Sequence, residues 1–131
     1  MTGDADTAYP ADRRYSENDL WVLPEGDTVR IGITDFAQDR LGDIVYVDIP
    51  EVGAAVAAGE AMGEIESTKT VADLVSPLTG SVVQRNDGLE ADLGLVNRSP
   101  HEDGWLVVVR PEDDASLARL LTAEEYDAAR R

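Results

Sequence analysis

The segment Glu64-Ile65-Glu66-Ser67-Thr68-Lys69-Thr70-Val71 holds the single lysine of a 131-residue chain. Ten of the eleven basic residues are arginine, so a general need for positive charge does not account for this one primary amine. Acylation converts an ε-amine to a neutral amide, and arginine does not offer that chemistry. Apolar-leaning runs flank the lysine at residues 61–65 and 71–75, so the short polar link 66–70 predicts the tip of a β-hairpin. Neither Asn-Gly nor Asp-Gly, the usual mark of a two-residue hairpin loop, occurs there. On composition alone, a lysine on a turn reads as a solvated surface charge.

Other reactive residue types are sparse. There is no cysteine, which excludes disulfides, cysteine metal sites and cysteine nucleophiles, so any thiol chemistry must come from an attached group. His101 stands alone in a polar loop beside Pro100 with no second ligand near it in sequence, so no metal is assigned to it. Carboxylates are abundant, but 27 acidic residues against 11 basic ones predict an acidic surface, and no general-acid pair stands out. Trp21 and Trp105 adjoin apolar strand residues and read as core anchors.

A formal net charge of −16 argues against nucleic acid and anionic membranes as partners, since both need clustered Lys or Arg. Basic protein surfaces are the expected partners. The excess of Asp (16) over Glu (11) with one Lys fits either a high-salt cytoplasm or a genome that favours arginine codons, and composition does not separate the two. The first residues are acidic and lack an apolar run, unlike secretory or transit segments. No stretch approaches the ~20 apolar residues of a membrane span. The expectation is a soluble, cytoplasmic protein.

The length suits one domain. Residues 1–14 lack an apolar period and are expected to form a disordered arm, with the folded domain over 15–131. Residues 20–23 form a short apolar run ended by a Pro-Glu-Gly-Asp turn cluster, and 28–33 alternate with Val29, Ile31 and Ile33 on one face. From Thr34 to Leu41 the period changes, predicting one short helix with a capping box from Asp35 to Gln38 and a left-handed cap at Gly42. Residues 43–49 are nearly continuously apolar and β-branched, predicting a strand covered on both faces. A Gly-containing link that feeds a β-branched strand occurs at 41–45 and again at 79–83, which suits two similar half-sheets. Residues 85–104 form a long candidate functional loop with a helical turn around 89–93, and 105–109 a last strand. Beyond Asp114 the pattern is helical, with a capping box from Thr122 to Glu125. The fold class expected is mostly β: a flattened barrel or sandwich of two small antiparallel sheets, with one short internal helix and C-terminal helices.

Glu66-Ser67-Thr68-Lys69, followed by Ser76-Pro77-Leu78-Thr79-Gly80-Ser81-Val82-Val83, resembles the lipoyl-attachment region of the glycine cleavage system H protein family. Residues 32–45 are similar to that family's most recognisable segment almost residue for residue. Residues 47–53, Asn97 with Gly104-Trp105-Leu106, and Ala123-Glu124-Glu125-Tyr126 also fit. The likeness runs from about Tyr15 to the C-terminus. Three places differ: Asp19-Leu20 precede Trp21 where the family usually has His-Glu, Phe36 stands where some members have histidine and others an aromatic residue, and His101-Glu102-Asp103-Gly104 replace a late Tyr-Gly.

The resemblance implies a lipoyl-domain-like barrel-sandwich hybrid and a carrier rather than an enzyme. It places covalent lipoate on Lys69, with Glu66 and Ser67 as candidates for recognition by the modifying enzyme, a lipoate ligase or octanoyltransferase. The implied partners in glycine catabolism and one-carbon metabolism are a pyridoxal-phosphate glycine decarboxylase, a tetrahydrofolate-dependent aminomethyltransferase and lipoamide dehydrogenase. A biotin carrier also presents a lysine on a hairpin, but flanks it with methionines, whereas Lys69 lies between Thr68 and Thr70. Lipoyl domains of 2-oxo-acid dehydrogenase complexes carry an Asp-Lys pair and are shorter. An unmodified acidic interaction module built on the same fold is the reading from a different class.

Overall fold

A computed structural model describes residues 9–113 and 115–130 of the chain. Two antiparallel sheets face each other. The larger has the order β1-β2-β3-β9-β8-β5, formed by Arg14–Tyr15, Leu20–Glu25, Thr28–Ile33, Val107–Pro111, Gly80–Arg85 and Ala55–Val56. The smaller has the order β4-β6-β7, formed by Ile44–Asp48, Ala61–Ser67 and Val71–Val75. Neither closes on itself, so the architecture is an open sandwich.

Alternation puts Val29, Ile31 and Ile33 of β3 into one core with Ile65 of β6, Leu74 of β7 and Leu106. The opposite face of β2 carries Trp21, which packs with Tyr15, Tyr9 and Tyr126 in a second cluster. Gly32 is required beneath Trp21, because a Cβ there would lie 2.5 Å from the indole ring.

The arm expected over 1–14 lies mostly outside the described residues. From Tyr9 onward the chain is packed: Tyr9 is buried, and Arg13 stacks on Trp21, pairs with Asp12 at 2.8 Å and donates to the His101 carbonyl at 2.7 Å. Aromatic packing and that carbonyl supply local order to a stretch that shows no apolar period.

Helix α1 spans Asp35–Leu41. Its N-cap is Thr34 rather than Asp35: extended backbone at Thr34 lets Oγ1 accept the Ala37 N–H, and Gln38 instead donates to the Asp35 carboxylate. Gly42 ends α1 with φ +85° as expected, but with ψ −156° in place of the left-handed helical value. The loop 85–104 holds two single-turn helices: α2 (Gly88–Ala91), where a helical turn is expected around 89–93, and α3 (Leu95–Arg98), which the sequence reading does not anticipate. After β9 come α4 (Ala115–Ala118) and α5 (Ala123–Ala129), the latter opening on the expected capping box of Thr122 and Glu125.

One strand differs in kind from its reading. β4 is an outer strand, not one covered on both faces, and leaves Val45 and Tyr46 about half exposed. A bulge between Ile44 and Tyr46 breaks the alternation there, and β-branched composition does not distinguish such a strand from a central one.

Candidate functional site

Strands β6 and β7 form the hairpin that carries Lys69, with Glu66 opposite Val71 as the last pair. The turn closes without glycine and without a positive φ, because a side chain replaces a backbone acceptor. Ser67 Oγ accepts the N–H groups of Lys69 and Thr70, both at 3.1 Å, and donates to the Thr70 carbonyl at 3.3 Å. The Ser67 N–H donates to the same carbonyl at 2.8 Å. One hydroxyl thereby uses its donor and both lone pairs inside the bend. Asn-Gly chemistry is absent because this serine does its work.

Ser67 is only 6% exposed, since it faces Ile44 on the inner side of the sheet. Its hydroxyl is consumed within the turn and is not displayed outward. Glu66 points the other way and is exposed on the outer face between Tyr46 and Val71. The two residues expected to act together at the turn therefore occupy opposite faces of one strand.

Lys69 is exposed, and among the described residues its Nζ makes no hydrogen bond or ion pair. Its stem crosses Gly42: a Cβ on that glycine would lie 3.0 Å from Lys69 Cε and 3.7 Å from Nζ. The platform under the stem is held from three sides. Thr68 N–H donates to the Asp43 carbonyl at 3.0 Å. Asn97, at the end of α3, donates from Nδ2 to the Gly42 carbonyl and to Gln38 Oε1, and its Oδ1 accepts the Ile44 N–H, all at 2.9 Å. Loop 85–104 thus positions the lysine from beneath. The sequence marks Gly42 as a helix cap and as the glycine of a link into a strand, and gives no local signal for the clamp, whose partners lie 53 to 59 residues away.

Beside the hairpin runs a groove of ≈ 190 Å³. Leu20, Ile33, Ile65 and Leu74 supply buried apolar surface, and the exposed Arg40 and Asp73 lie at its edge. Asp19 also lines it, but its carboxylate is committed, accepting from Tyr126 Oη at 2.7 Å and Arg130 Nε at 2.6 Å. That contact, with the 2.8 Å bond between Thr34 Oγ1 and Tyr126 Oη, fastens α5 to the start of α1. His101 serves the same helix: its Nε2 accepts the Asp35 N–H at 3.1 Å. Burial, and then the charge of Arg13, hold its pKa below the ordinary value.

What this geometry offers chemically is an exposed primary amine, unpartnered among the described residues, on a braced bend next to a groove with an apolar lining. A family profile described as Glycine cleavage H-protein matches residues 13–131. The glycine cleavage system H protein of Geobacillus sp. (strain WCH70) is 52% identical over 118 residues, which are 90% of this chain and 93% of that protein. The one from Micrococcus luteus is 50% identical over 122 residues, covering 92% and 95%. Among solved structures, the crystal structure of a glycine cleavage system H protein from Mycobacterium marinum superposes with a TM-score of 0.84 at 42% identity, covering 92% of this chain and 98% of that one. With nearly the whole domain matched and the lone amine displayed at its hairpin tip, the chain belongs to the glycine cleavage H-protein family.

Proposed function

We propose that Lys69 is the covalent attachment point of lipoate and that the chain shuttles the aminomethyl group of glycine within the glycine cleavage system. Members of the family are lipoyl carriers without catalytic activity of their own. The observation that carries the assignment to Lys69 is its position: an exposed primary amine, the single lysine of the chain, at the tip of a braced hairpin. An amide there removes the charge and adds a flexible stem whose dithiolane exchanges between disulfide and dithiol. The chain's own part is mechanical. Ser67 fixes the bend, Gly42 leaves room for the stem, and Asn97 holds Gly42 in place. Tethering raises the local concentration of the attached group at each partner it visits.

The partners in this reading are the pyridoxal-phosphate glycine decarboxylase, the tetrahydrofolate-dependent aminomethyltransferase and lipoamide dehydrogenase, with a lipoate ligase or octanoyltransferase loading the lysine. Glu66, exposed beside the turn, is the neighbour open to the loading enzyme. Ser67 acts by shaping the bend. Intact mass followed by peptide mapping tests the assignment: lipoylation places its increment on the peptide holding Lys69. Lys69→Arg is expected to abolish glycine cleavage while leaving the fold unchanged. Retained activity in that variant, or a biotin increment on the wild-type chain, would overturn the reading.

A further inference from the structure

Strand β4 bonds to β6 on one side only. The other side of an outer strand presents unpaired backbone N–H and C=O groups, which proteins usually cover or blunt. Here the free side opens on a groove of ≈ 370 Å³ whose far wall is the end of β8 and the α2 segment. Its apolar lining comes from Val45, Tyr46, Leu89 and Leu93, with Val45 49% and Tyr46 53% exposed.

A polar group in the same groove lacks a partner. Arg85 Nη1 pairs with Glu51 at 2.9 Å, and Nε lies 3.9 Å from Asp87 Oδ1, beyond hydrogen-bond reach. That Nε is buried from solvent, and no hydrogen-bond partner exists for it among the described residues. A buried N–H left unpaired is costly, and a turn of the Arg85 side chain, itself 28% exposed, toward an acceptor brought from outside removes the cost. Because Glu51 and Asp87 already balance the guanidinium charge, the acceptor that fits is a neutral carbonyl. Asp48, Asp87 and Glu90 line the same groove and leave it negative overall, which selects a basic occupant.

We propose that the free edge of β4 receives an extended segment of a partner protein as a fourth strand. The segment alternates apolar side chains, which seat against Val45, Tyr46, Leu89 and Leu93, with Lys or Arg, which meet Asp48, Asp87 and Glu90. One of its backbone carbonyls accepts from Arg85 Nε. Main-chain pairing supplies affinity in this mode, and alternate side chains supply selectivity. A second copy of this chain does not fit, since it would set the same carboxylates against themselves and one charge of −16 against another. β4 starts at Ile44, opposite Ser67, so a segment bound here is separated only by β4 from β6, the strand that leads to the Lys69 turn.

The test uses the full, unmodified chain, so it stands whether or not Lys69 carries a group. Isotope-labelled protein is titrated with a blocked peptide of alternating lysine and valine, and with its glutamate-for-lysine counterpart. The lysine peptide is expected to shift and protect amides within residues 45–49 and to shift those of Leu89 and Leu93. Arg85→Lys keeps the charge but removes the buried guanidinium N–H, and is expected to weaken binding about fivefold. Tyr46→Ser, at an exposed position that does not threaten the fold, is expected to weaken it by about as much. No binding, shifts spread evenly over the acidic surface, equal binding of the glutamate peptide, or unchanged affinity in both variants would overturn the proposal.

Discussion

Asn97 and Gly42 lie 55 residues apart and are joined by a 2.9 Å bond from Asn97 Nδ2 to the Gly42 carbonyl, directly beneath the stem of Lys69. The same amide accepts the Ile44 N–H, so one side chain sets both the end of α1 and the start of β4. Asn97→Ala leaves those groups, which are largely shielded from solvent, without partners. A loss of about 2–3 kcal/mol of stability is expected from denaturant melts. Asn97→Asp keeps the acceptor for Ile44 but turns a carboxylate toward the oxygens of Gly42 and Gln38, and is expected to be no better. If the clamp also seats the lysine, both variants slow enzymatic lipoylation more than the stability loss explains, measured on fully folded protein.

Gly42 faces a double constraint. Its φ of +85° with ψ of −156° is a conformation that L residues avoid, and an added Cβ would meet Lys69 Cε at 3.0 Å. Gly42→Ala is therefore expected to cost about 1–3 kcal/mol and to displace the lysine stem. The second effect is separable: chemical-shift changes at Thr68 and Lys69 in the folded variant report it, and their absence would show that the stem does not rest there.

Ser67→Ala removes the acceptor of two backbone N–H groups and the donor to Thr70. Water replaces part of this on the exposed side, so about 1–2 kcal/mol is expected, together with faster amide exchange at Lys69 and Thr70 than elsewhere in β6 and β7. Ser67→Thr keeps the hydroxyl and is expected to retain most of the protection. Equal exchange in the alanine variant and wild type would mean that the bend does not depend on this residue.

The sequence disclosed strands and turns where local chemistry decides them. Val29, Ile31 and Ile33 share a face in both the pattern and the fold, and Thr122 with Glu125 makes the capping box its spacing announces. It also disclosed the hairpin, although the residue that closes the turn is a serine acting through its side chain. What stayed hidden depends on residues far apart. β4 reads as buried because Val and Ile suit any strand, and its edge position follows from the pairing order alone. The Asn97 clamp is invisible for the same reason, and so is the order from Tyr9 to Arg13, which comes from Trp21, Tyr126 and His101. Near Lys69 the residue type was informative, whereas the support beneath it was not.

His101 is the single histidine, and as acceptor of the Asp35 N–H it must keep Nε2 unprotonated. Burial and Arg13 lower its pKa from the ordinary 6.5, while Asp35 and Glu102 pull the other way less strongly. Between the folded and unfolded pKa values the unfolded chain binds more protons, so stability rises with pH through that window. The contribution is complete above about pH 6.5, declines as the pH falls below it, and levels off beneath the folded value. His101→Gln is expected to flatten the dependence of the melting temperature between about pH 7 and pH 5. An unchanged slope in that variant would place the pH response elsewhere.

Across the smaller sheet, Asp48 stands opposite Glu64 and Glu64 opposite Asp73, all exposed on one face. Like charges in direct cross-strand pairs oppose folding, and the middle residue takes part in both pairs. Glu64→Gln relieves both and is expected to stabilise the chain by about 0.5–1 kcal/mol at low salt. Screening weakens the repulsion in the wild type as well, since the Debye length falls to about 3 Å at 1 M salt. The gain should therefore shrink as KCl is raised, and the wild-type melting temperature should climb. A gain independent of salt would mean that Glu64 acts through packing or strand propensity, and the charge row would then not be a cost to this fold.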